Sequence, residues 1–295
     1  MSNLKITNVC VTPADSAFLI DDGKTAVLCD AGFGFTGERL VQKLEAALGD
    51  RPVDYILLTH SHYDHVLGAP FVIARYPNVK VVAGEYATRI FAKDSAKAVM
   101  RDLDRKFAAT CGVTDYPDLV DTLRVDIPVA DGDTVQAGDM EFTAIALPGH
   151  TKCSVGFYLK SQKLLVSSET LGVYDGDKTI MPCYLVGYRM ALQSIARVRA
   201  LDIERMLFPH FGLADEAHTA YFLANAAHCA KESAEEIARI LREGGTKEQA
   251  LAYFRDKFYC GKIKEGYPID AMLLNTTITV NLIERELVLT KEDTQ

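Results

Sequence analysis

Seven consecutive residues in the first quarter of the chain bring together most of the groups that could bind a metal. Three imidazoles and one carboxylate occur within Thr59-His60-Ser61-His62-Tyr63-Asp64-His65. The segment follows the apolar run 54–58, which predicts a buried strand, and precedes a turn into a predicted helix. Successive side chains of an extended segment point in different directions, so His60 and His62 can face one cation while Asp64 and His65 face another. We therefore expect a site for one or two cations at the carboxyl end of this strand.

This motif resembles the His-x-His-x-Asp-His signature of the metallo-β-lactamase superfamily, and three later segments resemble the family's remaining motifs in order. His150 lies in a Pro-Gly-His-Thr turn after a predicted strand, where the family carries a further ligand. Glu169 stands where the family usually presents a bridging Asp, and His210 lies in Pro-His-Phe-Gly instead of the more usual Gly-His-Gly. The resemblance covers about residues 5–214. It implies that one metal is held by His60, His62 and His150 and a second by Asp64, His65 and His210, with Glu169 between or beside them.

Glu169 departs from the family pattern, and the departure bears on the cofactor. One additional methylene moves the carboxylate by about 1 Å, so Glu169 bridges through a shifted backbone, binds one cation only, or hydrogen-bonds a ligand. Five imidazoles with two carboxylates favour a borderline cation such as zinc. Carboxylate-rich coordination would favour manganese or iron instead. We expect Zn²⁺, with two ions in the site, and keep iron or manganese as alternatives.

Other residues are candidates for supporting roles. By the same resemblance, Asp30 holds the metal loop through hydrogen bonds, whereas an ordinary turn Asp would bond its own backbone. Cys153 lies near His150 in sequence, but a packing role is favoured because free cysteines behave as small buried hydrophobes. Three tyrosines after Glu169 are candidate donors to a substrate oxyanion, with a structural role as the alternative for each: Tyr174, Tyr184 and Tyr188.

The chemistry expected of such a site is hydrolysis. Water held between two cations about 3.5–4 Å apart is deprotonated near neutral pH and attacks a carbonyl or phosphoryl centre. Asp64, besides being a ligand, is the candidate catalytic residue that orients the nucleophile or passes a proton. The helices after the metal motifs resemble those of glyoxalase II-like thioesterases and of the quinolone-signal response protein, so we expect a hydrolase of a small ester, thioester or lactone. An iron-dependent oxygenase resembling persulfide dioxygenases and a non-catalytic metal-binding regulator are the alternatives.

Composition sets the class of protein and of partner. The 295 residues are 48% hydrophobic and 24% charged, which suffices for a large core. A formal net charge of −8 argues against nucleic acid as a partner, because nucleic-acid binding relies on basic patches, and favours a small-molecule substrate. The sequence shows no signal peptide and no apolar run of membrane-spanning length, so we expect a cytoplasmic protein without a membrane partner. Seven cysteines without a Cys-x-x-Cys pair predict reduced thiols.

The predicted elements alternate between strands and helices. Strands are predicted near 5–11, 16–20, 25–30, 79–83, 122–127, 140–147, 155–159 and 164–168, with helices near 37–48, 68–76, 188–201 and over the charged stretch 85–110. The resemblance implies an α/β fold, a four-layer αβ/βα sandwich, over residues 1–214. Residues 215–295 are expected to form a helical appendage, with helices near 216–243, 247–258 and 269–287. These helices cap the core, line the substrate pocket or make a homodimer contact; the three roles stay open, with capping as the default.

Overall fold

The computed structural model describes residues 4–289. By its internal contacts the chain divides into two units. The first contains the residues up to Ala146 together with Cys153–Ser167, and the second contains Leu147–Lys152 and the residues from Ser168 onward. Position 214, where the sequence predicts the end of the core, falls inside the second unit, and the division at that residue stays a prediction.

A six-stranded mixed sheet forms the centre of the first unit. Its strands, in the order in which they pair, are β1 (Lys5–Asn8), β2 (Phe18–Asp21), β3 (Ala26–Cys29), β4 (Tyr55–Leu58), β5 (Lys80–Gly84) and β6 (Ile127–Val129). The first two pairings are antiparallel and the last three are parallel. Strands β2 and β3 are buried along their whole length, which explains why they are apolar without polar alternation except for Asp21 at the end of β2. Because β3 and β4 are parallel, the loops after Cys29 and Leu58 leave the sheet at the same edge.

The helices of the first unit are α1 (Gly37–Leu48), α2 (Tyr63–Val66), α3 (Ala69–Arg75), α4 (Glu85–Phe91) and α5 (Asp94–Thr110). Helix α1 buries Leu40, Leu44 and Leu48, which recur at four-residue spacing on one face. These leucines belong to the same hydrophobic cluster as Leu28 and Ile56 of the sheet. The charged helix α5 pairs its cations locally, and its Arg101 and Arg105 both contact Asp118. This pairing agrees with a solvated helix face.

A second set of strands in the first unit is antiparallel throughout. It consists of β7 (Thr134–Ala137), β8 (Met140–Ala146), β9 (Val155–Leu159) and β10 (Leu164–Val166), each paired with the next. Strand β9 is buried at all five positions, whereas β7 alternates between exposed and buried residues. Strand β9 therefore lies inside the set and β7 presents one face to solvent.

The second unit is mostly helical. It contains two short hairpins, β11 (Val173–Tyr174) with β12 (Ile180–Met181) and β13 (Arg205–Phe208) with β14 (Gly212–Ala214). Its helices are α6 (Tyr188–Arg199), α7 (Glu216–Arg242), α8 (Lys247–Phe258), α9 (Gly261–Gly266) and α10 (Ile269–Ile283), followed by a π-helical turn over Glu284–Val288. None of the helices found among residues 4–289 has the length and apolarity needed to cross a membrane.

The predicted bounds of α1 and α8 are confirmed, and so is the capping box of Thr246 with Gln249 at the start of α8. The strand predicted at 122–127 is wrong. Residues 120–122 form a 3₁₀ turn, and β6 begins at Ile127. Arg124 and Asp126 instead tie this segment to the start of β5, because Arg124 donates to the Val79 carbonyl and Asp126 accepts from the Val81 N–H. The predicted helical stretch 85–110 is interrupted between α4 and α5.

Candidate metal centre

Four of the candidate ligands lie together in the first unit, in the loop that follows β4 and in the short helix α2. The imidazole centroid of His60 lies 4.7 Å from that of His62 and 4.0 Å from that of His65. A carboxylate oxygen of Asp64 lies 3.7 Å from Nε2 of His65. His60 and His65 are buried, whereas His62 and Asp64 are partly exposed. The segment thus presents nitrogen and oxygen donors from a rigid strand end, with one side open to a ligand.

Asp30 supports this loop from the end of β3. Its Oδ2 accepts hydrogen bonds from His65 Nδ1 at 2.7 Å, Thr59 Oγ1 at 2.9 Å and Ser16 Oγ at 3.0 Å, and its Oδ1 accepts from the Thr59 N–H at 2.8 Å. Burial alone would raise the pKa of Asp30, but the neighbouring His65 and the other donors outweigh it, and the pKa is lowered. Asp30 is therefore a carboxylate that accepts from distant residues, and the interpretation as an ordinary turn residue is wrong.

The hydrogen bonds at Nδ1 select the ligand atom of the imidazoles. His65 donates from Nδ1 to Asp30, and His60 Nδ1 lies 3.1 Å from Thr59 Oγ1, which itself donates to Asp30. This network assigns the proton of each ring to Nδ1 and leaves Nε2 as the nitrogen with a lone pair for a cation. Metal-binding histidines are commonly held by a carboxylate in this way, which fixes the ring orientation. The donor set and its support therefore fit a divalent metal.

Gly68 is required for the packing of this loop. A Cβ at Gly68 would lie 1.9 Å from the carbonyl oxygen of Ala31, the residue after Asp30. The Ala31 N–H donates to the His65 carbonyl at 2.7 Å, and the Gly68 N–H donates to the Gly32 carbonyl at 3.1 Å. Close approach of the two backbones thus places the Asp30 loop against the ligand segment.

The other three candidate ligands lie together in the second unit. Glu169 stands between two imidazoles, with Oε2 2.9 Å from His150 Nε2 and Oε1 3.6 Å from His210 Nε2. All three side chains are buried. His150 donates from Nδ1 to the Cys183 carbonyl at 2.9 Å, so its Nε2 is again the atom that faces the acid. Burial disfavours the charged imidazole, yet Cys183 and Glu169 outweigh this and raise the pKa of His150 well above its ordinary value. A cation bound here would replace the proton between His150 and Glu169.

The backbone around His150 and His210 is held in unusual conformations. Gly149 has φ 147°, and a Cβ there would lie 2.8 Å from both Ala191 Cα and Thr170 Cγ2. The His150 N–H donates to Thr170 Oγ1 at 3.1 Å, which fixes the turn. His210 has φ 64°, a left-handed conformation that is uncommon outside glycine. Such strain is maintained only where the surroundings fix it, and functional sites are where it is most often found.

Two of the three tyrosines proposed as oxyanion donors have structural partners for their hydroxyls. Tyr174 donates to the Asp177 carbonyl at 2.8 Å, and the Tyr184 hydroxyl pairs with Ser233 Oγ at 2.8 Å. Cys153 is buried and donates to Ser61 Oγ, as the packing interpretation expects. Sequence reasoning did not identify Thr59, Cys183 or Tyr267 as neighbours of the ligands. Only Thr59 carried a signal, because it directly precedes His60.

The profile of the Metallo-beta-lactamase superfamily matches residues 14–210, which is more than half of the chain. The chain belongs to this superfamily. A hydroxyacylglutathione hydrolase of Bradyrhizobium sp. is 25% identical over 230 residues, which cover 76% of this chain and 72% of that protein. A hydroxyacylglutathione hydrolase of Aliivibrio fischeri is 30% identical over 112 residues, and glyoxylase B2 of Dictyostelium discoideum is 27% identical over 151 residues. The matched regions span only 31% and 44% of these last two proteins.

Solved structures of the superfamily share the fold. A metallo-beta-lactamase family protein of Thermus thermophilus matches with a TM-score of 0.65 at 19% identity, over 97% of this chain and 94% of that one. An archaeal superfamily protein of Sulfolobus tokodaii matches with a TM-score of 0.55 at 20% identity, over 72% of this chain and 81% of that one. The predicted α/β fold class, an αβ/βα sandwich with additional C-terminal helices, is confirmed. Family membership and the similarity to glyoxalase II enzymes imply a divalent metal site and support a hydrolase.

Proposed function

We propose that the chain is a metal-dependent hydrolase of a small thioester or ester, with a lactone as a further substrate class. The observation that carries the proposal is the two ligand groups, in which the Nδ1 atoms of His60, His65 and His150 are held by hydrogen bonds, in a chain similar to hydroxyacylglutathione hydrolases. We further propose a dinuclear zinc centre, as the resemblance to the superfamily implies. In this assignment His60, His62 and His150 hold one ion, and Asp64, His65 and His210 hold the other.

Glu169 is proposed to bind both ions or to lie beside them. Its two carboxylate oxygens lie near different histidines, Oε2 2.9 Å from His150 Nε2 and Oε1 3.6 Å from His210 Nε2, as in a bridging carboxylate. The geometry therefore favours a shared role over binding of a single ion. The additional methylene relative to Asp gives Glu169 the reach to approach both rings from the start of its 3₁₀ turn.

Residues around the proposed metal site would orient its ligands and handle a proton. Bound divalent cations supply Lewis acidity and lower the pKa of water toward neutrality. Asp30 and Thr59 orient the imidazoles of His65 and His60, so that little reorganisation is needed when a cation binds. The partly exposed carboxylate of Asp64 is proposed to hold or pass the proton of the attacking water, in addition to its role as a ligand.

An aromatic cluster adjoins the ligand loop in the first unit and is proposed to contact the apolar part of the substrate. The buried ring of Phe33 lies 5.6 Å from Tyr63, the residue between His62 and Asp64, and 4.8 Å from Phe107 of α5. Tyr63 and Phe107 are partly exposed, so they offer apolar surface next to the candidate ligands. The net charge of −8 further supports a small molecule over a nucleic acid.

The test begins with elemental analysis of protein purified without added metal, followed by a hydrolysis panel. The panel contains a hydroxyacylglutathione, other acyl thioesters, simple esters, lactones and phosphodiesters. We expect bound zinc and turnover of thioesters or esters. His60→Ala and His150→Ala should each lower the metal content and abolish turnover, because each removes a candidate ligand of the same ion.

His228→Ala is the matched control, because it removes an exposed imidazole of α7 that lies outside both ligand groups. It should retain full metal content and turnover. Metal-loaded protein that hydrolyses nothing in the panel would overturn the proposal. Oxygen uptake with a persulfide by iron-loaded protein, without hydrolysis, would replace it with the oxygenase alternative.

A further inference from the structure

Tyr267 connects the C-terminal helices of the second unit to a candidate metal ligand. It lies between α9 and α10 and is only 5% exposed. Its ring meets the imidazole of His210 edge to face, with 5.6 Å between the ring centroids and 85° between the planes. Aromatic pairs favour this arrangement, because the positive edge of one ring faces the negative face of the other.

The position of Tyr267 is itself fixed by several hydrogen bonds. Its hydroxyl accepts from Asn275 Nδ2 at 2.9 Å, a residue of α10. Its carbonyl accepts from the Tyr259 hydroxyl at 2.8 Å, and its N–H donates to the Ile263 carbonyl at 2.8 Å. Side chain and backbone are thus both anchored in the helical region. The ring presents a fixed surface to His210.

We propose that Tyr267 is a positioning residue for His210, and that the C-terminal helices are consequently part of the metal centre. His210 holds a left-handed backbone conformation, so its imidazole needs packing to keep one orientation. Loss of the aromatic contact leaves the ring free to turn away from Glu169. The inference rests on the ligand assignment of the proposed function and is independent of the substrate.

The test compares Tyr267→Met and Tyr267→Phe with the wild type. Met fills the space with a flexible apolar chain but offers no aromatic edge, whereas Phe keeps the ring and removes the hydroxyl. Dissociation constants of Co²⁺ and Zn²⁺ are measured by chelator competition, and the visible absorption bands of the Co²⁺ form report the ligand geometry. Tyr253→Met is the matched control, a tyrosine of α8 that makes a cation–π contact with Lys257.

We expect Tyr267→Met to raise the dissociation constant of the more weakly held ion about 10–100-fold and to change the Co²⁺ bands, as loss of a supporting residue typically does. Tyr267→Phe should lie within about threefold of the wild type, well below that range, and Tyr253→Met should match the wild type. Wild-type affinity and spectrum in Tyr267→Met would overturn the inference, and so would equal losses in the Phe and Met variants.

Folding of each variant is checked by circular dichroism and thermal unfolding. Should Tyr267→Met fail to fold, the contact is tested in the wild type by nuclear Overhauser effects between the two rings in the zinc-loaded protein. Their presence supports the proposal and their absence refutes it. None of these measurements uses a substrate, so an inactive hydrolysis panel with altered metal binding in Tyr267→Met would reject the proposed activity and keep this inference.

Discussion

Asp30→Asn tests whether the support of the metal loop determines metal affinity. Asp30 accepts four hydrogen bonds through two oxygens, and Asn retains only one oxygen as an acceptor. The remaining oxygen can accept a hydrogen bond from His65 or from the Thr59 N–H, but not from both. The new NH₂ group then faces the other donor, and that hydrogen bond is lost. Loss of one hydrogen bond to a charged acceptor costs about 1.5–3 kcal/mol. A cost of this size corresponds to a loss of metal affinity of roughly 10–100-fold, which is typical when a residue that supports a metal ligand is removed.

The assay is chelator competition with Zn²⁺ or Co²⁺ at fixed pH, with unfolding in urea measured separately on the metal-free protein. Ser16→Ala is the matched control, because it removes one hydrogen bond to the same carboxylate and leaves the contacts of His65 and Thr59 in place. It should lower the free energy of unfolding by about 1.5–3 kcal/mol and change the metal dissociation constant little.

The sign of the pH dependence provides a second check. The lowered pKa of Asp30 means that its contribution to stability is present above the ordinary pKa of a carboxyl and is lost as the pH falls through the folded-state value. Asp30→Asn lacks this contribution at every pH, so the difference in free energy of unfolding from the wild type should shrink in acid. The reasoning is refuted if Asp30→Asn binds both ions as tightly as Ser16→Ala does.

Three further predictions concern packing, charge and substrate. Gly68→Ala should destabilise the fold by about 3 kcal/mol or more in urea unfolding, because its Cβ would lie 1.9 Å from the Ala31 carbonyl oxygen. The control Gly112→Ala, which lies in open space at φ 76°, should cost about 1 kcal/mol. Equal costs for the two variants would contradict this prediction. Burial raises the pKa of Asp104 to about 6 despite its hydrogen bond from Tyr116. The wild-type protein should therefore lose stability as the pH rises from about 4 to 7. Over that range the free energy of unfolding of metal-free Asp104→Asn should rise by up to about 3 kcal/mol relative to that of the wild type. A constant difference would show that Asp104 keeps its ordinary pKa. Phe107→Ala should raise KM more for long acyl chains than for acetyl esters, and a uniform change would exclude contact with the apolar part of the substrate.

The parts of the fold that sequence predicted are those with a local signal. Helix α1 follows from leucines at four-residue spacing, and α8 from a capping box whose two residues lie three apart. Ligands that are adjacent in sequence were identified as a group for the same reason. The strand predicted at 122–127 is wrong because Arg124 and Asp126 alternate with apolar residues, as polar residues do in a half-buried strand. In the structure these two side chains instead hydrogen-bond the neighbouring segment.

The parts that sequence could not supply depend on contacts between distant residues. Asp30 and His65 are 35 positions apart, and only the family resemblance suggested that Asp30 supports the metal loop. Cys183 and His150 are 33 positions apart, and neither periodicity nor composition points to that pair. Tyr267 is one of thirteen tyrosines, and nothing in its sequence neighbourhood distinguishes it from the others. Positioning residues are therefore visible only once the fold has placed them.

Glu169→Asp examines the one departure from the family's usual residues. Glu169 reaches His150 at 2.9 Å and His210 at 3.6 Å, and removal of one methylene withdraws the carboxylate by about 1 Å from a turn whose backbone is buried. The surroundings are built for the longer side chain, so Asp should lose contact with at least one ring although it is the residue expected by resemblance. We expect weaker binding of one ion with the other little changed, seen as two separated steps in a Co²⁺ titration. Glu169→Gln is the matched control, because it keeps the length and removes the charge. Unchanged binding of both ions by Glu169→Asp would mean that the extra methylene has no role in spanning the two histidines.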